Sequence, residues 1–126
     1  QAYGVLGHRH QPEMAQETGA RILFTPHLLA LDRGILSTIH VELAPGRTLA
    51  DARACLERTY ADAPFVRLTG EALPEIKHVA YTNFCDIGWK YDAPSRRLVL
   101  VSVIDNLVKG AAGQGVQVFN VMHGFD

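Results

Sequence analysis

The residues best suited to chemistry lie close together near the start of the chain. His8 and His10 place two imidazoles on either side of the Arg9 guanidinium, and Glu13 follows three residues after the second histidine. If a helix begins at His10, Glu13 lies one turn away on the same face. A carboxylate beside one ring nitrogen fixes the imidazole tautomer and leaves the other nitrogen free to take a proton. The spacing therefore predicts an acid/base pair, and Glu13 favours His10 over His8 as its imidazole.

The same residues allow other interpretations. Arg9 could bind a carboxylate or a phosphate through two parallel hydrogen bonds. The motif could also be a surface loop whose charges cap a helix. A zinc site is a third interpretation, since His8 and His10 offer two ligands, but no third ligand stands near them in the sequence. We predict that no metal is bound.

A glycine-rich segment near the end of the chain is the second candidate. It begins with Asp105 and Asn106 and continues through Gly110, Gly113 and Gly115. Glycine inside a helix costs about 1 kcal/mol relative to alanine, which indicates close approach of another backbone or of a ligand. The free N–H groups at the start of such a helix suit an anion or a polar cofactor edge. The spacing differs from the dinucleotide-binding fingerprint, and tight packing alone stays open as the explanation.

Caps, breakers and apolar spacing predict the elements that hold these two segments. Residues 97–103 form the most apolar strand, which we expect at the centre of a sheet. Thr48 and Asp51 have the spacing of a capping box. Strands in consecutive runs with interspersed helices indicate the α+β class, a mixed, mostly antiparallel sheet with helices on one face. The predicted helices are 11–18, 49–61 and 105–123, the last with Asp105 as N-cap, and the predicted strands are 21–25, 35–43, 65–68, 77–85, 86–91 and 97–103.

Length and composition exclude several classes of protein. The chain has 126 residues, enough for one domain with a core, and 48% of them are hydrophobic. Lys and Arg number 12 and Asp and Glu 13, so the net charge of −1 gives no electrostatic case for binding nucleic acid or a membrane surface. The longest apolar run, 98–104, is far shorter than the roughly 20 residues of a membrane-spanning helix. We expect Cys55 and Cys85 to be buried thiols in a reducing cytosol.

Four segments together resemble one enzyme family. They are HRHQPE at 8–13, FTPHLLALDRGIL at 24–36, NFCDIG at 83–88 and DNLVKGAAGQGVQ at 105–117. In this order they resemble the catalytic and dimerisation portion, with the final helix, of N-acetyl-gamma-glutamyl-phosphate reductase, a family of the semialdehyde dehydrogenase group. Similar motifs occur in the aminoadipyl-phosphate reductase of lysine biosynthesis, which acts on a carrier-protein-bound substrate.

The resemblance implies an activity and roles for individual residues. The family reduces N-acetyl-glutamyl 5-phosphate to the semialdehyde with NADPH in arginine biosynthesis, through a cysteine thiolate and a thioacyl enzyme. It implies that a histidine of the first segment, His10 or His8, is the acid/base group. It also implies that Arg9 and Glu13 belong to the site that binds the small acyl-phosphate substrate.

The resemblance further implies a cofactor site and a division of the chain. By analogy with aspartate-semialdehyde enzymes, Asn106, Gly110 and Gly113 lie beside the nicotinamide of NADP, which a separate dinucleotide-binding domain mainly holds. We expect residues 1–104 to form the dimerisation domain of a cytoplasmic homo-oligomer. Residues 105–126 are expected to form a C-terminal helix that packs on the dinucleotide-binding domain.

The sequence departs from the family pattern at the nucleophilic cysteine and at the nucleotide-binding loop. Neither Cys55 nor Cys85 stands in the motif of the family's nucleophile, and the glycine-rich loop of the nucleotide-binding half does not occur in the 126 residues. We therefore expect the C-terminal part of a reductase, inactive alone. The alternative is a dimerisation scaffold from a related enzyme, either the aminoadipyl-phosphate reductase or one like aspartate-semialdehyde dehydrogenase.

Overall fold

The computed structural model describes residues 1–125, which fall into two compact units. The first unit comprises residues 1–32 and the second begins at Arg33. Asp126, the last residue of the predicted C-terminal segment, lies outside the described residues. The helices are α1 (His10–Thr18), α2 (Leu49–Thr59) and α3 (Gly113–His123), with short helical turns at Ile76–His78 and Val108–Ala112, and the strands are β1 (Ile35–Glu42), β2 (Val66–Gly70), β3 (Cys85–Asp92) and β4 (Arg97–Ile104).

The first unit combines one helix with a short backbone pairing. α1 begins one residue before the prediction and is followed by Gly19, whose φ of +64° is a left-handed conformation that glycine adopts easily. The predicted strand 21–25 is wrong, because in the described part of this unit those residues pair with no strand. Only an isolated bridge between Ala2 and His27 forms nearby. Pro26 lacks an N–H group and cannot donate to a sheet, which limits the pairing to a few residues.

The second unit contains a four-stranded sheet in the order β1-β4-β3-β2. β4 pairs antiparallel with β1 on one side and with β3 on the other, while β2 and β3 run parallel. The α+β class with a mixed, mostly antiparallel sheet is therefore confirmed. β4 is the most apolar predicted strand, and it has a partner on each side, as expected. Its last residue, Ile104, pairs with Ile35 and with Cys85, so the starts of β1 and β3 lie beside the segment that follows β4.

The predicted strand 77–85 is wrong, and only its last residue belongs to β3. Ile76–His78 instead form a short turn, in which Nδ1 of His78 accepts the backbone N–H of Glu75 at 3.1 Å. Val79 then enters the core with 0% exposure and packs with two valines of β4. Apolar residues that look like a strand in the sequence therefore anchor a loop to the core.

α2 begins as its capping box predicts. Thr48 Oγ1 accepts the backbone N–H of Asp51 at 3.2 Å, and the Asp51 carboxylate accepts the backbone N–H of Thr48 at 2.8 Å. These hydrogen bonds favour the charged carboxylate and lower the pKa of Asp51 below its usual value. The helix ends at Thr59, two residues before the prediction.

The two cysteines are free thiols, but they are not buried as predicted. Cys55 is exposed on α2. Cys85 is half-buried at the start of β3, where its Sγ lies 3.5 Å from Oγ of Ser102. The expectation of burial was wrong for Cys55 because it lies outside the half-buried stripe of its helix.

Candidate active-site residues

His8 and His10 lie together in the first unit. The backbone N–H of His10 donates to Nδ1 of His8 at 3.2 Å, and the two rings meet edge to face with centroids 4.9 Å apart. Tyr3 and Phe24 also meet the His8 ring edge to face, at 5.3 and 5.2 Å between centroids. His8 is half-buried, whereas His10, the first residue of α1, is exposed. An exposed imidazole at that position can exchange protons with a bound substrate.

Arg9 and Glu13, the other charged residues of this motif, are also exposed. Glu13 lies in the first turn of α1, where a negative charge interacts favourably with the helix dipole. Within residues 1–125 neither side chain makes an ion pair or a hydrogen bond, so the structure does not join His10 to Glu13. Both charges are therefore available to a ligand. An open depression of about 390 Å³ beside the motif is lined by Leu6, Gly7, His8, Arg9, Gln11, Pro12, Ala15 and Ile22.

A buried carboxylate, Asp105, joins three segments of the second unit. Its oxygens accept hydrogen bonds from Arg33 Nη1 at 2.8 Å and from the backbone N–H of Tyr81 at 2.7 Å. They also accept the N–H groups of Leu107 and Val108 at 2.9 and 3.1 Å, so Asp105 holds the turn that follows it. The N-cap of the helical turn Val108–Ala112 is Leu107, so the predicted N-cap position is wrong. Burial alone would raise the pKa of this carboxyl, but the four hydrogen bonds outweigh it and lower the pKa to about 2. Asp105 therefore stays ionised and holds these segments together.

Asn106 has its amide orientation fixed by the backbone. Gly34 donates its N–H to Oδ1 of Asn106 at 2.6 Å. A backbone N–H can only donate, so the oxygen must face Gly34 and the NH₂ group faces away. The side chain is half-buried, and its Nδ2 makes no hydrogen bond within the part of the chain that the structure describes. Asn106 can therefore donate a hydrogen bond to a carbonyl or phosphate oxygen of a ligand.

The predicted single helix 105–123 is interrupted. Val108–Ala112 form a π-helical turn with non-helical backbone angles inside it, and α3 begins at Gly113. A Cβ on Gly113 would lie 2.7 Å from Cγ1 and 2.9 Å from the carbonyl oxygen of Val108, so tight packing explains the glycine there. At Gly110 the nearest atom would be 3.5 Å away, an ordinary contact, so packing does not require that glycine.

Sequence reasoning missed the partners of Asp105. Arg33 binds a carboxylate of the protein itself, and its guanidinium carbon lies 4.0 Å above the ring of Tyr81. Tyr81 contacts Asp105 through its backbone N–H and has a φ of +64°, a conformation rare outside glycine. No sequence pattern signals a contact made by a backbone N–H. The residues Asp-Arg-Gly at 32–34 have the composition of a turn, which does not indicate a partner 72 residues away.

Metal-ligating side chains are scattered along the described residues. Among residues 1–125, no group of three or more His, Cys, Asp and Glu side chains could hold a metal ion. In the same range, every helix is too short or too polar to cross a membrane.

The match to a known family covers most of the chain. A family model described as the semialdehyde dehydrogenase dimerisation domain matches residues 1–106. The chain belongs to this family. N-acetyl-gamma-glutamyl-phosphate reductase of Shewanella denitrificans is 50% identical over 94% of this chain, and that of Vibrio parahaemolyticus is 46% identical over 99%. The chain spans 36% and 37% of the lengths of these relatives. The resemblance carried by the four sequence segments is confirmed.

Solved structures show the same semialdehyde dehydrogenase fold. The crystal structure of aspartate semialdehyde dehydrogenase II from Vibrio cholerae aligns with 71% of this chain and 27% of its own, at a TM-score of 0.55 and 22% identity. The structure of that enzyme complexed with ASA gives a TM-score of 0.53 at 23% identity. At this identity the likeness concerns the fold, and it agrees with the sheet of the dimerisation domain described above.

Proposed function

We propose that these residues are the dimerisation-domain part of an NADP-dependent N-acetyl-gamma-glutamyl-phosphate reductase of arginine biosynthesis, acting as a homo-oligomer in the cytoplasm. The observation that carries the proposal is the identity of 46–50% to reductases of that name over 94–99% of the chain. The segment-by-segment resemblance at 8–13 and 105–117 supports it, because both candidate segments occur in family order.

The acid/base group of the proposed reaction is His10, with His8 beside it. NADPH, when bound, supplies the hydride. The His10 imidazolium gives a proton to the carbonyl oxygen of the cysteine thioester as that carbon is reduced. The imidazole takes the proton back as the resulting thiohemiacetal collapses to the aldehyde and a thiolate. The exposed ring of His10 supports this role, since an acid/base group must reach the substrate.

Arg9 and Glu13 are proposed to contact the substrate. The acyl phosphate carries negative charge, and a planar guanidinium binds a phosphate or carboxylate through two parallel hydrogen bonds. The exposure of Arg9 without an internal partner in residues 1–125 supports this role. Glu13 follows His10 by three residues on α1, and its carboxylate is proposed to orient the imidazole once substrate is bound.

The cofactor contacts are proposed at Asn106, Gly110 and Gly113. Asn106 supports the assignment best, because its NH₂ group is left as a donor that suits the carboxamide oxygen of a nicotinamide. Gly110 adds support, because packing within the described residues does not require a glycine there. Gly113 supports it least, since Val108 already explains the missing side chain.

The two parts of the chain are proposed to bind different partners. Residues 1–104 form the dimerisation domain, and 105–126 pack on a dinucleotide-binding domain that supplies the nucleophilic cysteine. Exposed apolar side chains often mark a surface that binds a partner. Several lie on α3, which supports the proposed contact with the dinucleotide-binding domain. They are Val116, Val118, Phe119, Val121 and Met122, each between 47% and 75% exposed.

The test is an assay of NADPH oxidation with N-acetyl-glutamyl 5-phosphate. The 126 residues are assayed alone and with the dinucleotide-binding domain of a relative added as a separate polypeptide. We expect no turnover alone and turnover after reconstitution. Turnover by these residues alone would contradict the assignment of the nucleophile to the other domain. A reconstituted complex that turns over only the aminoadipyl or aspartyl phosphate would replace the proposed substrate.

A further inference from the structure

The His8 ring is held on three sides in the first unit. The rings of Tyr3, Phe24 and His10 meet it edge to face, with interplanar angles between 69° and 78°. Behind it, Gly4 has a φ of +55°, and a Cβ there would lie 3.1 Å from Cδ2 of His8. These contacts fix the plane of the imidazole and therefore the direction of its two nitrogens.

The hydrogen bond to Nδ1 then fixes the tautomer of His8. The backbone N–H of His10 donates to this nitrogen at 3.2 Å, so Nδ1 must carry a lone pair. A neutral imidazole has a single N–H, which leaves the proton of His8 on Nε2. In this tautomer the only nitrogen able to take a proton is Nδ1, and it is already committed to His10.

His10 is in the opposite situation. It is exposed, and within residues 1–125 neither of its ring nitrogens takes part in a hydrogen bond. Its backbone is tied to His8 by the Nδ1 bond, and the next residue, Gln11, donates its N–H to the His8 carbonyl at 3.0 Å. The start of α1 is therefore attached to His8 through both its side chain and its backbone.

We propose that His8 is a positioning residue, a neutral Nε2–H imidazole that orients His10 and does not itself exchange protons with substrate. The inference rests on the proposed function, since it assigns His8 a role in that reaction. The two histidines of the motif thus have separate tasks, one holding the helix start and the other moving the proton.

Two substitutions separate positioning from proton transfer in the complete gene product. His8→Phe keeps a ring between Tyr3 and Phe24 but removes the acceptor. His8→Asn removes the ring but keeps an oxygen near the position of Nδ1. We expect His8→Phe to lower kcat by about 10²-fold with KM little changed, because a small misplacement of the acid/base group has that cost. His8→Asn should recover most of the lost kcat, although asparagine cannot act as an acid or a base.

Hydrogen exchange at the His10 amide provides a readout that does not need activity. We expect slow exchange in the unsubstituted protein and in His8→Asn, and faster exchange in His8→Phe. His78→Phe is the matched control, since Nδ1 of His78 also accepts a backbone N–H, at 3.1 Å, but outside the proposed site. This control should lose the protection of Glu75 and keep its kcat.

The outcomes distinguish the two proposals. If His8→Asn is as impaired in kcat as His8→Phe, His8 transfers the proton itself and the positioning role is overturned. Equal exchange of the His10 amide in all variants of an active enzyme would also overturn it. An unsubstituted gene product that does not reduce the acyl phosphate would refute the proposed function.

Discussion

The two units of the chain place their charged groups differently. Every ion pair found among residues 1–125 lies in the second unit, where the carboxylates of Asp86 and Asp105 are buried against Arg67 and Arg33. In the first unit the charged groups of the histidine motif, Arg9 and Glu13 among them, are exposed and without such partners.

The buried charges of the second unit stabilise the fold, whereas the exposed charges of the histidine motif remain available to bind a ligand. A buried carboxylate needs several hydrogen bonds to offset the loss of water, and those bonds occupy its oxygens. An exposed side chain without an internal partner keeps its hydrogen-bonding capacity for a ligand. We therefore expect substitutions of the buried carboxylates in the second unit to act on stability and substitutions in the histidine motif to act on catalysis.

The largest effect is expected at Asp105. Asp105→Ala removes the partner of Arg33 and leaves three backbone N–H groups without an acceptor. Loss of a buried ion-pair partner costs about 3–5 kcal/mol of unfolding free energy. Urea denaturation measures this, with the exposed Asp62→Ala as control. If the two variants lose equal stability, Asp105 does not have the structural role that distinguishes the second unit.

The pH dependence of stability gives a second test of the structural role of Asp105. The pKa of Asp105 lies at about 2 in the folded chain, below its ordinary value of 3.8, so folding favours the ionised form. Its contribution to stability is complete above pH 3.8 and is lost as the pH falls toward 2. Asp51 and Glu75 also have lowered pKa values and contribute to the acid loss.

The contribution of Asp105 is isolated by comparing the protein with Asp105→Asn over that pH range. The variant has no carboxyl to titrate at this position, so its unfolding free energy should fall less steeply in acid. Parallel curves for the two proteins would show that the buried carboxylate does not titrate as described.

A smaller effect is expected from a pair of glycines in α3. A Cβ on Gly113 would lie 2.7 Å from Val108 Cγ1, and forcing atoms into such a packed site costs about 1–3 kcal/mol. Gly115 has nothing within 4 Å of its Cβ position, so Gly115→Ala should stabilise the helix by about 0.5–1 kcal/mol. Thermal unfolding of Gly113→Ala and Gly115→Ala measures the two effects, a loss of stability for the first variant and a gain for the second. Destabilisation by Gly115→Ala would contradict the open space found at its Cβ position.

The smallest effect on stability is expected at Arg9. Its side chain is exposed and has no ion-pair partner in the described range, so Arg9→Ala should change the unfolding free energy by less than about 0.5 kcal/mol. The same variant should raise KM for the acyl phosphate, because the guanidinium is proposed to bind its charge. A stability loss comparable to that of Asp105→Ala would erase the contrast between the two units.

Local signals allowed part of this structure to be predicted from the sequence. The capping box of Thr48 and Asp51 depends on residues three positions apart, and it forms as predicted. The apolar content of 97–103 predicts a central strand, because a strand covered on both faces is rich in apolar residues. β4 lies between β1 and β3, so this prediction is confirmed. The motif at 8–13 could be recognised as a candidate site because its chemistry is contained in six consecutive residues.

Features that depend on distant contacts could not be predicted. The segment 77–85 has the composition of a strand. Val79 instead packs against the valines of β4 in the core, so this part of the chain forms a loop. The bond between Arg33 and Asp105 joins residues 72 positions apart. The hydrogen bond from the His10 amide to His8 spans two residues, yet it depends on the direction of a ring that Tyr3 and Phe24 hold.

The most direct test is the rate of NADPH-dependent reduction of N-acetyl-glutamyl 5-phosphate by the complete gene product carrying His10→Asn. Removing the acid/base group should lower kcat by about 10²–10⁴-fold. Because His10 is exposed, the unfolding free energy should stay within about 0.5 kcal/mol of that of the unsubstituted protein. Turnover at the unsubstituted rate would contradict the assignment of proton transfer to the first unit.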